Sequence, residues 1–292
     1  VAGKPEKKLE VIADIEERQI ADIRKFMEST RIQVNLADSE YIFDIGVILF
    51  NEEESVKVRI VGEHTNVVLI EHNGRVILKK DITADRTASD MTDRSVLNIQ
   101  DIVEFANIAE IADVQEILDR QIAYNMAIAQ EGMKNNYGAN IGKVLLHTYG
   151  DDVKTKARAY AAAGSDARMN GCSLPVVICS GSGNQGITAS VPVIVYAIEL
   201  GIEKDRLYRA LLVSNLATIH QKTGIGRLSA YCGAISAGCG SGAGIAYLLG
   251  DGYEEISHTL VNGLAIVSGI ICDGAKASCA AKIATAVDAG IM

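Results

Sequence analysis

The chain has 292 residues, of which 48% are hydrophobic, and its 37 acidic and 28 basic residues give a formal net charge of -9. This acidic balance, with no cluster of Lys and Arg among aromatic residues, argues against a nucleic-acid surface, so we expect a small-molecule partner. Six cysteines in so long a chain, without a signal-peptide pattern, argue against a disulfide framework and favour a reducing cytoplasm.

The N-terminal part of the chain predicts one helix and a small antiparallel sheet. Residues 8–28 carry apolar side chains near helical spacing, with charges between them. Residues 31–80 change to alternating and β-branched runs, which predict strands in RIQVNL, YIFDIGVILF, VKVRIVG, TNVVLIEH and RVILKK. The dipeptide Asn73-Gly74 between two apolar runs predicts a type I′ hairpin turn.

A polar stretch at residues 81–95 separates this part from the rest of the chain, so we expect domains at 1–95 and 96–292. After it, the helical periodicity over 98–137 and the segments beyond predict helices joined by glycine-rich connections. The predicted helical segments are 112–135, 151–168, 187–200, 204–221, 229–249, 253–271 and 276–288. The expected fold class is α+β, with a small antiparallel sheet followed by a predominantly α-helical domain of Gly/Ala-rich buried helices.

Residues 229–250 form a run of 22 residues without a charge, which is long enough to cross a bilayer. The run contains the small-residue spacing Gly240-x-x-x-Gly244 that membrane helices use to dimerise. However, it is rich in Gly, Ala and Ser rather than Leu, and acidic residues follow it. Because the chain has 27 Gly and no Trp, a core of small, closely packed side chains is the simpler interpretation, and we expect no membrane span.

The six cysteines form three pairs, each spaced seven residues apart: Cys172/Cys179, Cys232/Cys239 and Cys272/Cys279. This spacing is about two helical turns and would place both members of a pair on one helix face. No C-x-x-C occurs, so the pattern does not predict a zinc finger. The last two pairs lie in nearly uncharged sequence and favour metal ligation, whereas Cys172 and Cys179 are interpreted as structural.

Gly181 to Gly186 matches G-x-G-x-x-G, but two helical patterns follow instead of a strand ending in an acidic residue, so a dinucleotide site is not predicted. The segment predicts either an anion-binding turn at a helix N-terminus or a tight turn that needs glycine. His220, Lys222 and Arg227 lie just before Cys232 and could pair with a carboxylate or offset thiolate charge. The alternative is a solvated helix end.

Three segments, SGSGNQGITASVPV, KTGIGRLSAYCGA and SGIICDGAKASCAAKIATA, together with GEHTNVVLIEHNG, resemble the signature segments of the L-cysteine desulfidase family. That family is related to the alpha part of bacterial iron-sulfur L-serine dehydratases. The resemblance implies a 4Fe-4S cluster held by three cysteines, with one iron open to substrate. It implies non-redox conversion of L-cysteine to pyruvate, ammonia and hydrogen sulfide, with L-serine dehydration as the alternative.

Carried over residue by residue, the resemblance assigns Cys232 and Cys272 as cluster ligands. The third ligand would be Cys279 or a cysteine of an N-terminal GCTEP segment that does not occur here. The missing segment leaves open a cluster-free, inactive fragment, and it favours self-association or association with an absent N-terminal portion. The remaining implied roles are substrate contact by Ser180, Ser182, Asn184, Lys222 and Arg227, and proton removal by His64 or Lys276.

Overall fold

The computed structural model describes residues 2–12, 14–41, 43–62, 65–82, 93–226 and 229–292. The chain divides into two compact units, Val1–Thr92 and Asp93–Met292. The first unit carries a small antiparallel sheet and the second is built from helices, so the predicted α+β class is confirmed.

The first unit contains helix α1 (Glu17–Ser29) and strands β1 (Asp44–Phe50), β2 (Ser55–Val61), β3 (Val67–His72) and β4 (Arg75–Lys79). The strands pair antiparallel in chain order. The hairpin turn between β3 and β4 has positive φ at both Asn73 (50°) and Gly74 (75°), as a type I′ turn requires. The predicted hairpin is therefore confirmed.

Two predictions for the first unit are wrong in part. The predicted helix over 8–28 is instead a 3₁₀ turn at Pro5–Glu10 followed by α1, which begins only at Glu17. Glu16 is the N-cap of that start, and its backbone N–H donates to Gln19 Oε1 at 2.9 Å. The predicted strand at 31–36 forms no ladder with any described residue, and its Leu36 is 99% exposed. β-branched composition alone does not supply the neighbouring strand that a ladder needs.

The second unit contains α2 (Ile99–Ile108), α3 (Gln115–Lys134), α4 (Ile141–Tyr149), α5 (Val153–Met169) and α6 (Gly183–Glu199). It continues with α7 (Lys204–Ile225), α8 (Gly233–Leu249), α9 (Tyr253–Val267) and α10 (Ser278–Ile291). The sequence did not predict α4, which follows a segment rich in Asn and Gly. Its start depends on a tertiary contact, because the backbone N–H of Ile141 donates to the buried Asp166 carboxylate of α5 at 2.7 Å.

Helix α8 lies at the centre of the helical unit and packs against α6, α7, α9 and α10. Its glycines allow this, since a Cβ at Gly242 would lie 2.0 Å from the Gly290 carbonyl oxygen of α10. On another face, a Cβ at Gly240 would lie 2.2 Å from Thr218 Oγ1 of α7. The small residues of the uncharged run therefore serve helix packing inside this unit, as predicted. Within the described part of the chain, no helix meets the length and hydropathy needed to cross a bilayer.

Candidate metal and substrate site

A tight turn at residues 179–182 leads into α6. The backbone N–H of Cys179 donates to Ser182 O at 3.2 Å, and the Ser182 N–H donates to Cys179 O at 3.1 Å. Between them, Ser180 and Gly181 have φ of 50° and 86°, the left-handed pair of a type I′ turn. Left-handed backbone at a residue other than glycine is strained, and such strain concentrates at functional sites.

The glycines after this turn are required by close packing. A Cβ at Gly186 would lie 2.0 Å from Val177 O, so α6 can cross residues 176–178 only with glycine there. Ser182 is the N-cap of α6, and its Oγ accepts from the Gln185 N–H at 3.5 Å. The first-turn N–H groups of a helix have no intrahelical acceptors and favour an anion. The close packing gives a structural reason for the glycines of a tight turn. The N–H groups at the start of α6 give one for the alternative interpretation, an anion-binding turn.

Asn125 of α3 holds the strand-like segment that precedes the turn. Its Oδ1 accepts from the Val177 N–H at 2.9 Å, and its Nδ2 donates to Val177 O at 3.2 Å and to Ser190 Oγ at 2.9 Å. Asn125 is fully buried. The side chain therefore replaces a neighbouring strand for Val177 and fixes where the turn begins.

We expect Asn125→Ala to lower the free energy of unfolding by about 2 kcal/mol, because it leaves buried peptide groups unpaired. Urea denaturation followed by circular dichroism measures this loss, and hydrogen exchange at residues 177–182 should rise. Asn135→Ala is the matched control, since Asn135 is exposed at the end of the same helix and its side chain donates to Glu131 of that helix. Equal stability of the two variants would contradict this role for Asn125.

The turn is linked to Cys232 through Gln185. A Cβ at Gly233, the first residue of α8, would lie 2.4 Å from Gln185 Nε2, so the amide rests against the N-terminus of that helix. Cys232 is the N-cap residue of α8. The G-x-G-x-x-G segment and the first candidate cluster ligand are therefore neighbours in the fold.

Cys232 and Cys272 lie on two paired extended segments. Tyr231 and Ile271 form an antiparallel bridge, the Cys232 N–H donates to Ile270 O at 3.2 Å, and the Cys272 N–H donates to Ala230 O at 2.6 Å. Cys272 is exposed and Cys232 is half-buried. This pairing brings together two cysteines that are forty residues apart in the sequence.

Cys279 lies in the first turn of α10, where its backbone N–H donates to Lys276 O at 3.0 Å. Lys282, one turn further along, forms an ion pair with Asp273 and donates to Ile271 O at 3.0 Å. The pair raises the pKa of Lys282 and lowers that of Asp273. Lys282 thereby holds the 271–273 segment against α10. Its positive charge also interacts electrostatically with the thiols of Cys232 and Cys279.

Burial raises the pKa of the Cys232 thiol, the Ala234 N–H lowers it, and the neighbouring thiols of Cys272 and Cys279 raise it further. Lys222, in the last turn of α7, is 7% exposed. Burial lowers its pKa, and Cys232 and Cys272 act in the opposite direction. The alternative of a solvated helix end therefore does not hold for Lys222, which is buried and interacts electrostatically with Cys232 and Cys272.

The donor set is three free thiols with two nearby ammonium groups. In the regions that the structure describes, no three His, Cys, Asp or Glu side chains are close enough to share a single metal ion. A 4Fe-4S cluster takes at most one cysteine thiolate on each iron, so its ligands lie further apart than those of a single ion. Cysteine thiols are donors of the type that such a cluster takes.

The seven-residue spacing does not place both members of a cysteine pair on one helix face, so that prediction is wrong. Cys232 precedes α8 whereas Cys239 is buried inside it, where its Sγ would lie 2.9 Å from a Cβ at Gly263. Cys272 likewise lies before α10 and Cys279 within it. Cys179 is buried, and burial raises the pKa of its thiol to about 12, as expected for a structural cysteine.

Among the other predicted site residues, Asn184 is buried, Ser180 and Ser182 are half-buried in the turn, and Lys276 is exposed. His64 and Arg227 lie outside the described residues. Sequence reasoning missed Asn125, Arg168, Gln185 and Lys282. Gln185 stands inside the glycine-rich motif and could have been found there, whereas Arg168 follows a run of alanines in α5 that carries no functional signal.

The family model described as serine dehydratase alpha chain matches residues 6–292. A UPF0597 protein of Desulfitobacterium hafniense strain Y51 is 60% identical, over 100% of this chain and 68% of its own length. Relatives also called UPF0597 proteins occur in Lachnoclostridium phytofermentans (49% identical, 100% of this chain, 70% of the relative) and Treponema denticola (44%, 100% and 69%). No solved structure gives a significant match. Since the family model spans nearly the whole chain, this protein belongs to the serine dehydratase alpha chain family.

Proposed function

We propose that the chain is a lyase that removes hydrogen sulfide from L-cysteine by non-redox β-elimination, leaving pyruvate and ammonia. Membership of the serine dehydratase alpha chain family supports a lyase of amino-acid catabolism. The observation that carries the proposal is the pairing of the segments that hold Cys232 and Cys272, next to the glycine-rich motif through the contact of Gln185 with Gly233.

Cys232, Cys272 and Cys279 would hold a 4Fe-4S cluster. When bound through three thiolates, such a cluster supplies a Lewis-acidic iron with a position open for substrate. The ammonium groups of Lys222 and Lys282 offset the negative charge that the thiolates would introduce.

The chain's own residues would bind and orient the amino acid. The first-turn N–H groups of α6, after Ser182, favour the carboxylate, and the hydroxyls of Ser180 and Ser182 lie in the same turn. The α-proton must be taken by a base in reach of the bound substrate. His64 and Lys276 remain the proposed bases, and the position of Lys276 between Cys272 and Cys279 in the sequence supports it.

The test is turnover after anaerobic reconstitution of the chain with iron and sulfide, followed by desalting. We expect sulfide and pyruvate to appear in equal amounts from L-cysteine. Cys232→Ser, carried through the same reconstitution, is the control for reactions caused by free iron. A chain that binds iron but releases no pyruvate from L-cysteine would contradict the proposal.

L-Serine is the second candidate substrate, favoured by the description of the matching family. An open iron can assist the departure of a hydroxyl as well as a thiol, so the two reactions differ mainly in the leaving group. The ratio of kcat/KM for L-serine and L-cysteine, measured as pyruvate release on one preparation, decides between them. A higher value for L-serine replaces desulfidation with dehydration as the function.

A further inference from the structure

Arg168 lies beneath the first residue of α6. A Cβ at Gly183 would be 2.4 Å from Arg168 Nε and 2.8 Å from its Cζ, so only glycine leaves room for the guanidinium there. Its Nη1 donates to Asn184 Oδ1 at 3.3 Å. The guanidinium is thus packed directly against the helix N-terminus that follows the tight turn.

The charge of Arg168 has no carboxylate partner among the residues that the structure describes. Burial lowers its pKa, and the Cys279 thiol is the neighbour that acts in the opposite direction. Other arginines of this unit have a carboxylate partner: Arg158, on the same helix, contacts Asp288 at 3.1 Å, and Arg209 contacts Asp205 at 2.8 Å. The half-buried guanidinium keeps one long hydrogen bond to a described residue, so its other N–H groups remain to bind an anion.

A second, independent observation concerns Gln185, two residues further along α6. The residue is 7% exposed, and its buried Oε1 has no hydrogen-bond partner in the described structure. An acceptor without a donor calls for a donor group such as an ammonium. The guanidinium of Arg168 can pair with the carboxylate of an α-amino acid zwitterion. Gln185 Oε1 can accept a hydrogen bond from its ammonium group.

We propose that Arg168 binds the α-carboxylate of the substrate and that Gln185 Oε1 accepts a hydrogen bond from its α-ammonium group. The identification of the ligand as an amino acid rests on the proposed function. Arg is suited to this role because its planar fork donates two parallel hydrogen bonds to a carboxylate. The site therefore selects α-amino acids with a free carboxylate and discriminates against the corresponding amides.

Isothermal titration with L-alanine and L-alaninamide tests this proposal, since neither probe has a β leaving group and neither can be consumed. The wild-type chain should bind L-alanine about tenfold or more tightly than the amide, as expected for a charge-assisted contact. Arg168→Met should bring the two affinities to within about threefold of each other by removing that contact. Arg158→Met is the matched control: it makes the same change on the same helix, lowers stability and leaves the preference intact.

An unchanged preference in Arg168→Met, or a wild-type chain that binds L-alanine no better than the amide, overturns the proposal. If circular dichroism shows that the Met variant is unfolded, Arg168→Lys takes its place. This variant keeps the charge but loses the planar fork, so its preference should fall, and an unchanged preference again overturns the proposal. Binding needs no turnover, so a failed lyase assay leaves this test valid and refutes only the reaction.

Discussion

The Cys232→Ser variant is expected to lose more than about nine-tenths of the iron that the wild-type chain binds after anaerobic reconstitution, and with it all lyase activity. A serine hydroxyl is a poor substitute for a thiolate toward iron. Cys232 is central because it lies both beside Gln185 of the glycine-rich motif and beside the paired segment that carries Cys272. Iron content and the visible absorbance of the cluster measure the loss without any assay of turnover.

Cys172→Ser is the control for this prediction. Cys172 is also a free, half-buried cysteine, but it belongs to the apolar core, with the Tyr137 hydroxyl among its neighbours. We expect its variant to bind as much iron as the wild type. If Cys232→Ser retains its iron while Cys172→Ser loses it, the ligand assignment is wrong.

The second large effect is expected for Gly242→Ala, which should lower the free energy of unfolding by about 3 kcal/mol or more. The added methyl group would lie 2.0 Å from Gly290 O and 2.6 Å from its carbonyl carbon, so α8 and α10 must separate. These are backbone atoms and cannot turn aside as a flexible side chain would. Separation would also move α10, whose first turn carries Cys279, so iron binding should weaken in parallel.

Gly224→Ala is the matched control, because Gly224 also lies within a helix but has open space around its Cβ position. There the substitution should raise stability by up to about 1 kcal/mol, through the better helix propensity of alanine. Urea denaturation of both variants measures the difference. Destabilisation of the same size in both would show that close approach of α8 and α10 is not the cause.

Sequence patterns predicted the elements that are stabilised by residues close together in the chain. The Asn73-Gly74 turn needs only two residues that accept positive φ, and the long helices follow from periodicity in their own sequence. The short helix α4 was missed because its start is held by Asp166 of α5. The strand expected at 31–36 was wrong because a ladder requires a partner strand, and the described part of the chain provides none for these residues.

The amino-acid sequence by itself determined the α+β class, the tight packing of glycine-rich helices and, through its signature segments, the relationship to serine dehydratase alpha chains, but not the finer assignment to L-cysteine desulfidases. Only the tertiary structure decided that Cys232 and Cys272 are neighbours, because a bridge between segments far apart in the chain aligns them. It alone placed Arg168 beneath Gly183 and Gln185 beside the cysteines. Such contacts depend on how whole helices pack against each other. The spacing of residues along the sequence does not determine the distance between side chains on different helices.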